Sequence, residues 1–541
     1  MMPRSVRTTD SVRTAAGRTL ECRAQVRENS ARSTGPSLAW LWCVLAQLRS
    51  AGLLGVEAYP VCVEVEVTTG IPGYHLVGLG HGAVKEGSVR VRAALRQVGL
   101  SLPAKKITVN LAPADVRKEG AAYDLPVAIG LLVAEEQVPL ESVLDVLFLG
   151  ELGLDGALRR VAGGLAVALL AQRSGIRSII LPTPSAREAA GLSGLTVYAA
   201  DHLSQVVAHL RGEAKLPLAV EAPWEPGPPP ADLADVRGQP LARRALELAA
   251  AGGHSLLYVG PPGCGKSLLA RRLPGILPPL SEQEALETSV VYSAAGRLTS
   301  GRLLRERPFR APHHDISVPG LIGGGSHPRP GEVSLAHHGV LFLDELPEFS
   351  RGAIESLRAP LEDRSVLVVR TAASVRFPAR FSLVAAMNPC PCGHEGSTRR
   401  ACICDLPRIR AYRERLSGPM LDRFDLQLRV PPVELHTLSE DAEPSAPVRE
   451  RVLRARNLQQ RRAGQPNAEL AGQALDDACR LDERSRGLLA TIAEKRGLSA
   501  RAIHRVLRVS RTAADLDDSP AVRTPHLALA LEMRAMDEHH G

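Results

Sequence analysis

The chain has 541 residues, 45% of them hydrophobic and 23% charged, with a net charge of +8. That length accommodates about two to four domains, and no run approaches the ~18–20 apolar residues that span a bilayer. Aromatics are only 3%, which disfavours gripping a nucleic-acid strand by base stacking; the positive balance still points to an anionic partner met through Arg, Lys and backbone amides.

Residues 1–43 carry seven Arg, no Lys and little periodicity. Asp10, Glu21 and Glu28 argue against a transit peptide. The composition predicts disorder, and because regular patterning begins only at Val44, the segment is also a candidate start-site artefact. Five cysteines (22, 43, 62, 264 and 479) are scattered. They give no disulfide framework, which fits a reducing cytoplasm.

Residues 44–212 read as one α/β or α+β domain. PVCVEVEVTTG alternates through Val61, Val63, Val65 and Val67 as a strand does. GSVRVRAALRQVGL predicts an amphipathic helix ending at Gly99, and KITVNLAP a second strand. DLPVAIGLLVAEEQ predicts an apolar helix opened by Asp124 and Pro126, and SGIRSIILP a further strand. A Pro-rich linker follows over 213–235. From 236 to 433 strands alternate with helices, as a parallel sheet requires. Residues 434–541 carry helical periodicity throughout.

The segment SLLYVGPPGCGKSLLARRLPG holds Gly260, Pro261, Pro262, Gly263, Cys264, Gly265, Lys266 and Ser267 between an apolar strand and a helix. This is a phosphate-binding loop in its required context. Its backbone N–H groups wrap phosphate oxygens, Lys266 reaches the β/γ-phosphates and Ser267 ligates Mg²⁺. Farther along, GVLFLDELPEF puts Asp344 and Glu345 at the tip of a buried strand. There Asp344 suits holding Mg²⁺, and Glu345 suits polarising the attacking water. RFSLVAAMNP ends in Asn388, an amide able to orient the same water. LSGPMLDRFDL sets Arg423 in a short turn, either as an arginine supplied to a neighbour's phosphate or as a surface ion pair with Asp422 or Asp425. GLSARAIHRVLRVSRTAADL places Arg501, Arg505 and Arg508 on one helical face. Arg501 is the candidate for the γ-phosphate, and the alternative is a solvated basic face.

Together these residues resemble the AAA+ ATPases, and within their magnesium-chelatase-like branch the YifB/ComM family. The resemblance runs from about Leu45 to Asp537. It is carried by GLLGVEAYPVCVEVEV, ITVNLAPADVRKEG, DVRGQPLARRALELAAAGGHSLLYVGPPGCGKS, RPFRAPHHDISVPGLIGGGSHPRPGEVSLAHHGVLFLDELPEF, MNPCPCG and SARAIHRVLRVSRTAADL. It implies an AAA+ parallel-sheet core with a C-terminal helical lid, preceded by a Lon-protease-like α+β domain. It implies Lys266 and Ser267 as the Walker A pair and Asp344 and Glu345 as Walker B. Asn388 becomes sensor 1, Arg423 a trans-acting arginine finger and Arg501 sensor 2. The implied cofactors are ATP and Mg²⁺. The implied assembly is a homo-oligomeric ring, usually a hexamer, and family members are associated with DNA branch migration during natural transformation. In the Lon-like domain 118-KEGAAYD-124 has Ala121 and Ala122 where the proteases carry Pro-Ser, so peptidase activity is not expected.

Two insertions suit a substrate-engaging role. One is PGLIGGGSHPRPGE; the other is a hairpin, SVLVVRTAASVRFPARF. Arg370, Arg376 and His313–His314 are candidates for gripping DNA phosphates. Between Asn388 and Arg423, Cys390, Cys392, Cys402 and Cys404 form a C-x-C…C-x-C set over 390–404. It suits one tetrahedral Zn²⁺, although C-x-C is tighter than the usual spacing; free buried thiols or a redox-labile pair are the alternatives. The leading expectation is a cytoplasmic ATP-driven ring motor on branched or single-stranded DNA. The competing one is a chelatase-type or protein-remodelling ATPase with a protein partner. An enhancer-binding activator ranks below both, because GLIGGGS stands where those carry GAFTGA.

Overall fold

The computed structural model describes residues 44–534, apart from 79–82, 101–103, 117, 119, 224–230, 326–327, 371–372, 398–399, 435–436, 438 and 440. The extension 1–43, the middle of the Pro-rich linker and residues 535–541 lie outside the described residues. The chain divides into two units, one of residues up to Leu53 with Glu57–Glu221, the other of Leu54–Val56 with Ala222 onward.

The first unit is built on strands β1 (Val44–Leu54), β2 (Glu57–Thr68), β3 (Gly73–Val77), β4 (Lys106–Ala112) and β5 (Val146–Phe148). A short ribbon, β6 (Glu151–Leu152) and β7 (Leu158–Arg159), precedes β8 (Ser178–Pro182) and β9 (Thr196–Ala200). Seven of these form one sheet in the order β3-β4-β2-β1-β5-β8-β9. Its core follows the period of two in β2: Val61, Val63, Val65 and Val67 are buried while Glu64 and Glu66 are half-exposed. Helix Asp124–Ala134 is buried at every position, so its sequence is apolar all round. A methyl group at Gly130 would sit 2.7 Å from Val65 Cγ2, so glycine there lets the helix approach the sheet. Cys62 on β2 is disulfide-bonded; its partner lies outside the described residues.

One charged pair is built into this core. Asp124, at the start of the buried helix, accepts hydrogen bonds from Arg90 Nε (2.6 Å), Arg90 Nη2 (3.1 Å) and Leu152 N (3.3 Å). Burial pushes the Asp124 carboxyl up to about 6 against the pull of Arg90.

The second unit has a five-stranded sheet in the order β11-β14-β17-β10-β18. Its members are β10 (Leu256–Val259), β11 (Phe309–Arg310), β14 (Val340–Leu343), β17 (Ser382–Met387) and β18 (Leu426–Arg429). All its pairings are parallel. β10 and β14 are buried at every position, as strands covered on both faces must be. Two ribbons lie in the connections: β12 (Gly323–Gly324) with β13 (Arg329–Pro330), and β15 (Ser365–Arg370) with β16 (Ala373–Pro378), the second packing Val366, Val368, Val375 and Phe377 into the core. The C-terminal region is helical, over Ser445–Ala463, Gly472–Cys479, Glu483–Arg496, Ala500–Leu516 and Thr524–Glu532. Helix Ala500–Leu516 packs on helices Pro240–Gly252 and Ser445–Ala463, its apolar face joining the sheet's core.

Removing Arg90 leaves the Asp124 carboxylate buried and unpaired. Arg90→Ala is expected to lower stability by about 3 kcal/mol, read by urea unfolding. Adding Asp124→Asn in that background should recover part of the loss, because the remaining orphan is neutral.

Candidate functional site

Parallel pairing brings three loops to one edge of the second sheet. Val259 of β10 lies opposite Met387 of β17, and Leu343 of β14 lies opposite Ala385. The residues that follow these strands, Gly260, Asp344 and Asn388, therefore emerge side by side at the strands' carboxyl ends, where open α/β sheets bind ligands.

The loop 260–265 turns through Gly263 and Gly265 with φ of +77° and +93°. A Cβ at either would meet nothing within 4 Å, so backbone conformation rather than space calls for glycine there. Lys266 opens the following helix and is nearly buried, at 8% exposure. Its ammonium donates to Gly260 O (2.6 Å), Pro261 O (2.9 Å) and Asn388 Oδ1 (3.2 Å). Burial pulls its pKa below the usual lysine value, opposed by Cys264, Asp344 and Glu345. Ser267 Oγ donates to Asp344 Oδ2 at 2.5 Å. A hydroxyl and a carboxylate so paired are the hard oxygen donors that Mg²⁺ takes beside a nucleotide's phosphates.

Glu345 follows Asp344 in a left-handed conformation, φ +52°, which costs a non-glycine residue roughly 1–3 kcal/mol. Its N–H donates to Asp344 Oδ1 at 3.0 Å, and its carboxylate is 57% exposed. His314 Nδ1 stands 3.7 Å from Glu345 Oε2, and the His314 ring meets Phe349 edge-on. Of the His313–His314 pair that the sequence offered as DNA contacts, His314 lies beside the Glu345 carboxylate.

The arginines gather elsewhere. A cavity of about 310 Å³ is lined by Arg423, Arg501, His504, Arg505, Arg508 and Glu362, among others. None of residues 260–267, Asp344, Glu345 or Asn388 lines it. Arg423 pairs with Glu362, while its buried Nε has no hydrogen-bond partner. Arg501 is exposed and makes no ion pair or hydrogen bond among the described residues. Arg505 turns inward, to 3.6 Å from Asp425, and Arg508 Nε donates to Leu470 O at 2.6 Å. Asp425 also meets His254 Nδ1 at 3.1 Å, and His254 Nε2 lies 2.7 Å from Thr512 Oγ1. Burial alone would raise the Asp425 carboxyl, but His254, Arg505 and Arg508 hold it below its usual value. This buried network, which no sequence motif signalled, ties the helix carrying Arg501 to the turn carrying Arg423.

The four cysteines of 390–404 lie together, their sulfurs within 4.8 Å of one another. Arg376 is exposed on β16, as are Leu367 and Val369 on β15. The β12–β13 ribbon lies against β15. Ala122 N-terminally flanks the buried helix of the first unit. Lys118 is fully buried, and its Nζ has no hydrogen-bond partner among the described residues.

Comparison with known proteins matches three consecutive stretches to one group. Residues 232–438 match magnesium chelatase, subunit ChlI; residues 63–185 match subunit ChlI of Mg-chelatase; residues 442–534 match the C-terminal region of that subunit. The chain is 47% identical over 500 residues to competence protein ComM of Haemophilus influenzae, covering 91% of this chain and 98% of that protein. It is 45% identical over 497 residues to the uncharacterized protein YifB of Salmonella typhimurium, with 91% and 97% covered. The magnesium-chelatase 38 kDa subunit of Rhodobacter capsulatus is 26% identical over 333 residues, 56% of this chain and 88% of that protein. With its parallel-sheet core and helical C-terminal region, the chain belongs to the YifB/ComM family of magnesium-chelatase-like AAA+ ATPases.

Proposed function

We propose that the protein is an ATP-hydrolysing homo-oligomeric ring, a hexamer, that moves on branched or single-stranded DNA and drives branch migration or helicase-type unwinding during natural transformation. The observation that carries the ring is the division of the site. Lys266, Ser267, Asp344 and Asn388 share one strand edge, whereas Arg423 and Arg501 share a cavity to which none of them contributes. A phosphate loop and a separate arginine cavity on one chain suit completion by a neighbour.

The roles follow. The 260–265 loop and Lys266 hold the β/γ-phosphates. Ser267 and Asp344 hold Mg²⁺, which neutralises charge on the phosphate oxygens when bound. Glu345 polarises the attacking water, and Asn388 orients it. Arg423 and Arg501 of one subunit stabilise charge on the next subunit's γ-phosphate.

DNA enters on three grounds: the net charge of +8, Arg376 on the exposed face of the β15–β16 hairpin, and a relative whose name ties it to competence. Exposed Leu367 and Val369 on the same hairpin favour the second reading, a protein partner that is remodelled. We divide the chain as 44–212, a Lon-like collar without peptidase activity; 213–235, linker; 236–433, ATPase core; and 434–541, lid. Among the described residues no helix is long and apolar enough to cross a membrane, which suits the cytoplasm, where DNA and ATP meet.

Three outcomes test these assignments. Glu345→Gln should keep ATP binding but slow hydrolysis about 10²–10³-fold, measured as phosphate release beside nucleotide binding. Lys266→Ala and Arg423→Ala should each be inactive alone. Mixed before assembly, they should regain turnover, because the loop of one subunit then meets the arginine of the other; an arginine acting within its own subunit would give no recovery. Forked or three-stranded DNA should raise ATP hydrolysis and show ATP-dependent branch movement. Turnover indifferent to DNA, without branch movement, would favour the protein-remodelling reading.

A further inference from the structure

The loop between Asn388 and helix Leu406–Arg413 is unlike the rest of the ATPase unit. Its described residues carry no regular secondary structure, yet it concentrates four thiols. Cys390 and Cys392 sulfurs are 3.4 Å apart, Cys390 and Cys402 3.7 Å, and Cys392 and Cys402 3.5 Å. Cys404 completes the set within 4.8 Å. Zn–S bonds of about 2.3 Å put the sulfurs of a tetrahedral tetrathiolate about 3.7–3.8 Å apart. The spacing is that of one metal ion. A multi-iron cluster would hold its thiolates much farther apart.

The tight C-x-C spacing is accommodated by a turn. Gly393 N donates to Cys390 O at 2.9 Å, and Gly393 takes φ +80°, folding the chain back after Cys392. Two backbone N–H groups point at sulfur: Glu395 N at Cys390 Sγ (3.3 Å) and Cys404 N at Cys402 Sγ (3.4 Å). N–H donors of this kind stabilise thiolate, the form that binds metal.

The loop also touches the nucleotide site. A Cβ at Gly393 would lie 2.5 Å from Cδ of Pro262, so the turn after Cys392 rests on the phosphate loop itself. On the other side, Arg413 pairs with Glu395 and its Nε donates to Pro389 O at 3.4 Å. The Tyr412 hydroxyl meets the Asn388 backbone.

We propose that Cys390, Cys392, Cys402 and Cys404 bind one structural Zn²⁺, and that the ion holds this loop in place against the phosphate loop. Binding releases the thiol protons to solvent and changes no oxidation state. With four sulfur ligands no position is left for water, so the ion takes no part in hydrolysis. Its work is to fix Pro262 and Asn388, and with them the cradle around Lys266.

The test counts metal in the full-length protein, purified in reducing buffer without chelator. Elemental analysis should find about one zinc per chain, and Cys392→Ser with Cys402→Ser should bring it below about 0.2. Cys479→Ala, in the helical region, should keep it. As a check independent of variant folding, zinc is displaced from the unmodified chain with a mercurial and then restored after thiol treatment. With the mercurial removed by thiol, the zinc-free chain should bind a fluorescent ATP analogue several-fold more weakly, and added zinc should restore binding. Less than about 0.2 metal per reduced chain, iron in place of zinc, full zinc in the double variant, or ATP-analogue affinity indifferent to displacement would each overturn the proposal. The metal count depends on neither DNA nor turnover, so it stands or falls apart from the motor reading.

Discussion

The site depends on one constraint, the parallel pairing of β10, β17 and β14 in adjacent positions. β10 and β17 end level, with Val259 opposite Met387, and β14 ends two residues earlier, with Leu343 opposite Ala385. A slip of one residue would turn alternate side chains to the other face and carry Asn388 away from Lys266. The pairing is held by burial: every residue of β10 and β14 is inside. The functional groups then need only short reaches, 3.2 Å from Lys266 to Asn388 and 2.5 Å from Ser267 to Asp344. Strand register thus sets the electrostatics of the cradle before any ligand arrives.

The sheet's core extends into the helical region, and this fixes where the second half-site lies. Asp425 enters β18 beside β10, and through His254, Thr512 and Arg505 it grips helix Ala500–Leu516. A buried network of this kind is rigid only when its members are satisfied. Here Asp425 has three cationic or donor neighbours, which outweigh its desolvation. Arg501 and Arg423 consequently share a cavity although 78 residues separate them in sequence. Arg423, with an unsatisfied Nε, and Arg501, with no partner among the described residues, are the groups left over for an anion.

Much of this was legible in the sequence because local rules and tertiary demands agree there. Alternation in PVCVEVEV gave β2, and the glycine spacing of GPPGCGKS with its flanking strand and helix gave the phosphate loop. Asp344 and Asn388 were readable as strand-tip residues. What was not legible depends on long-range partners. His314 looked like a loop residue free to meet DNA, yet it lies beside Glu345, 31 positions away. Arg505 looked like part of a solvated face, yet Asp425 draws it inside. The disulfide at Cys62 had no sequence signal at all.

The segment from Asn388 to Arg423 has a particular mechanical position. Its first residue touches Lys266 and so belongs to the chain's own phosphate cradle. Its last, Arg423, belongs to the cavity it shares with Arg501. Whatever shifts Asn388 acts on one end of a linkage whose other end is Arg423. Such a linkage transmits only if it is stiff, because a loose loop absorbs a displacement of an ångström in backbone rotations. Three features stiffen it: the Tyr412 and Arg413 contacts back to 388–389, the Asp405 cap on helix Leu406–Arg413, and the cysteine cluster on Pro262. Without a core of its own, a loop of this length holds one shape only through such staples. The cysteines of 390–404 thus stand where the segment between Asn388 and Arg423 needs a staple.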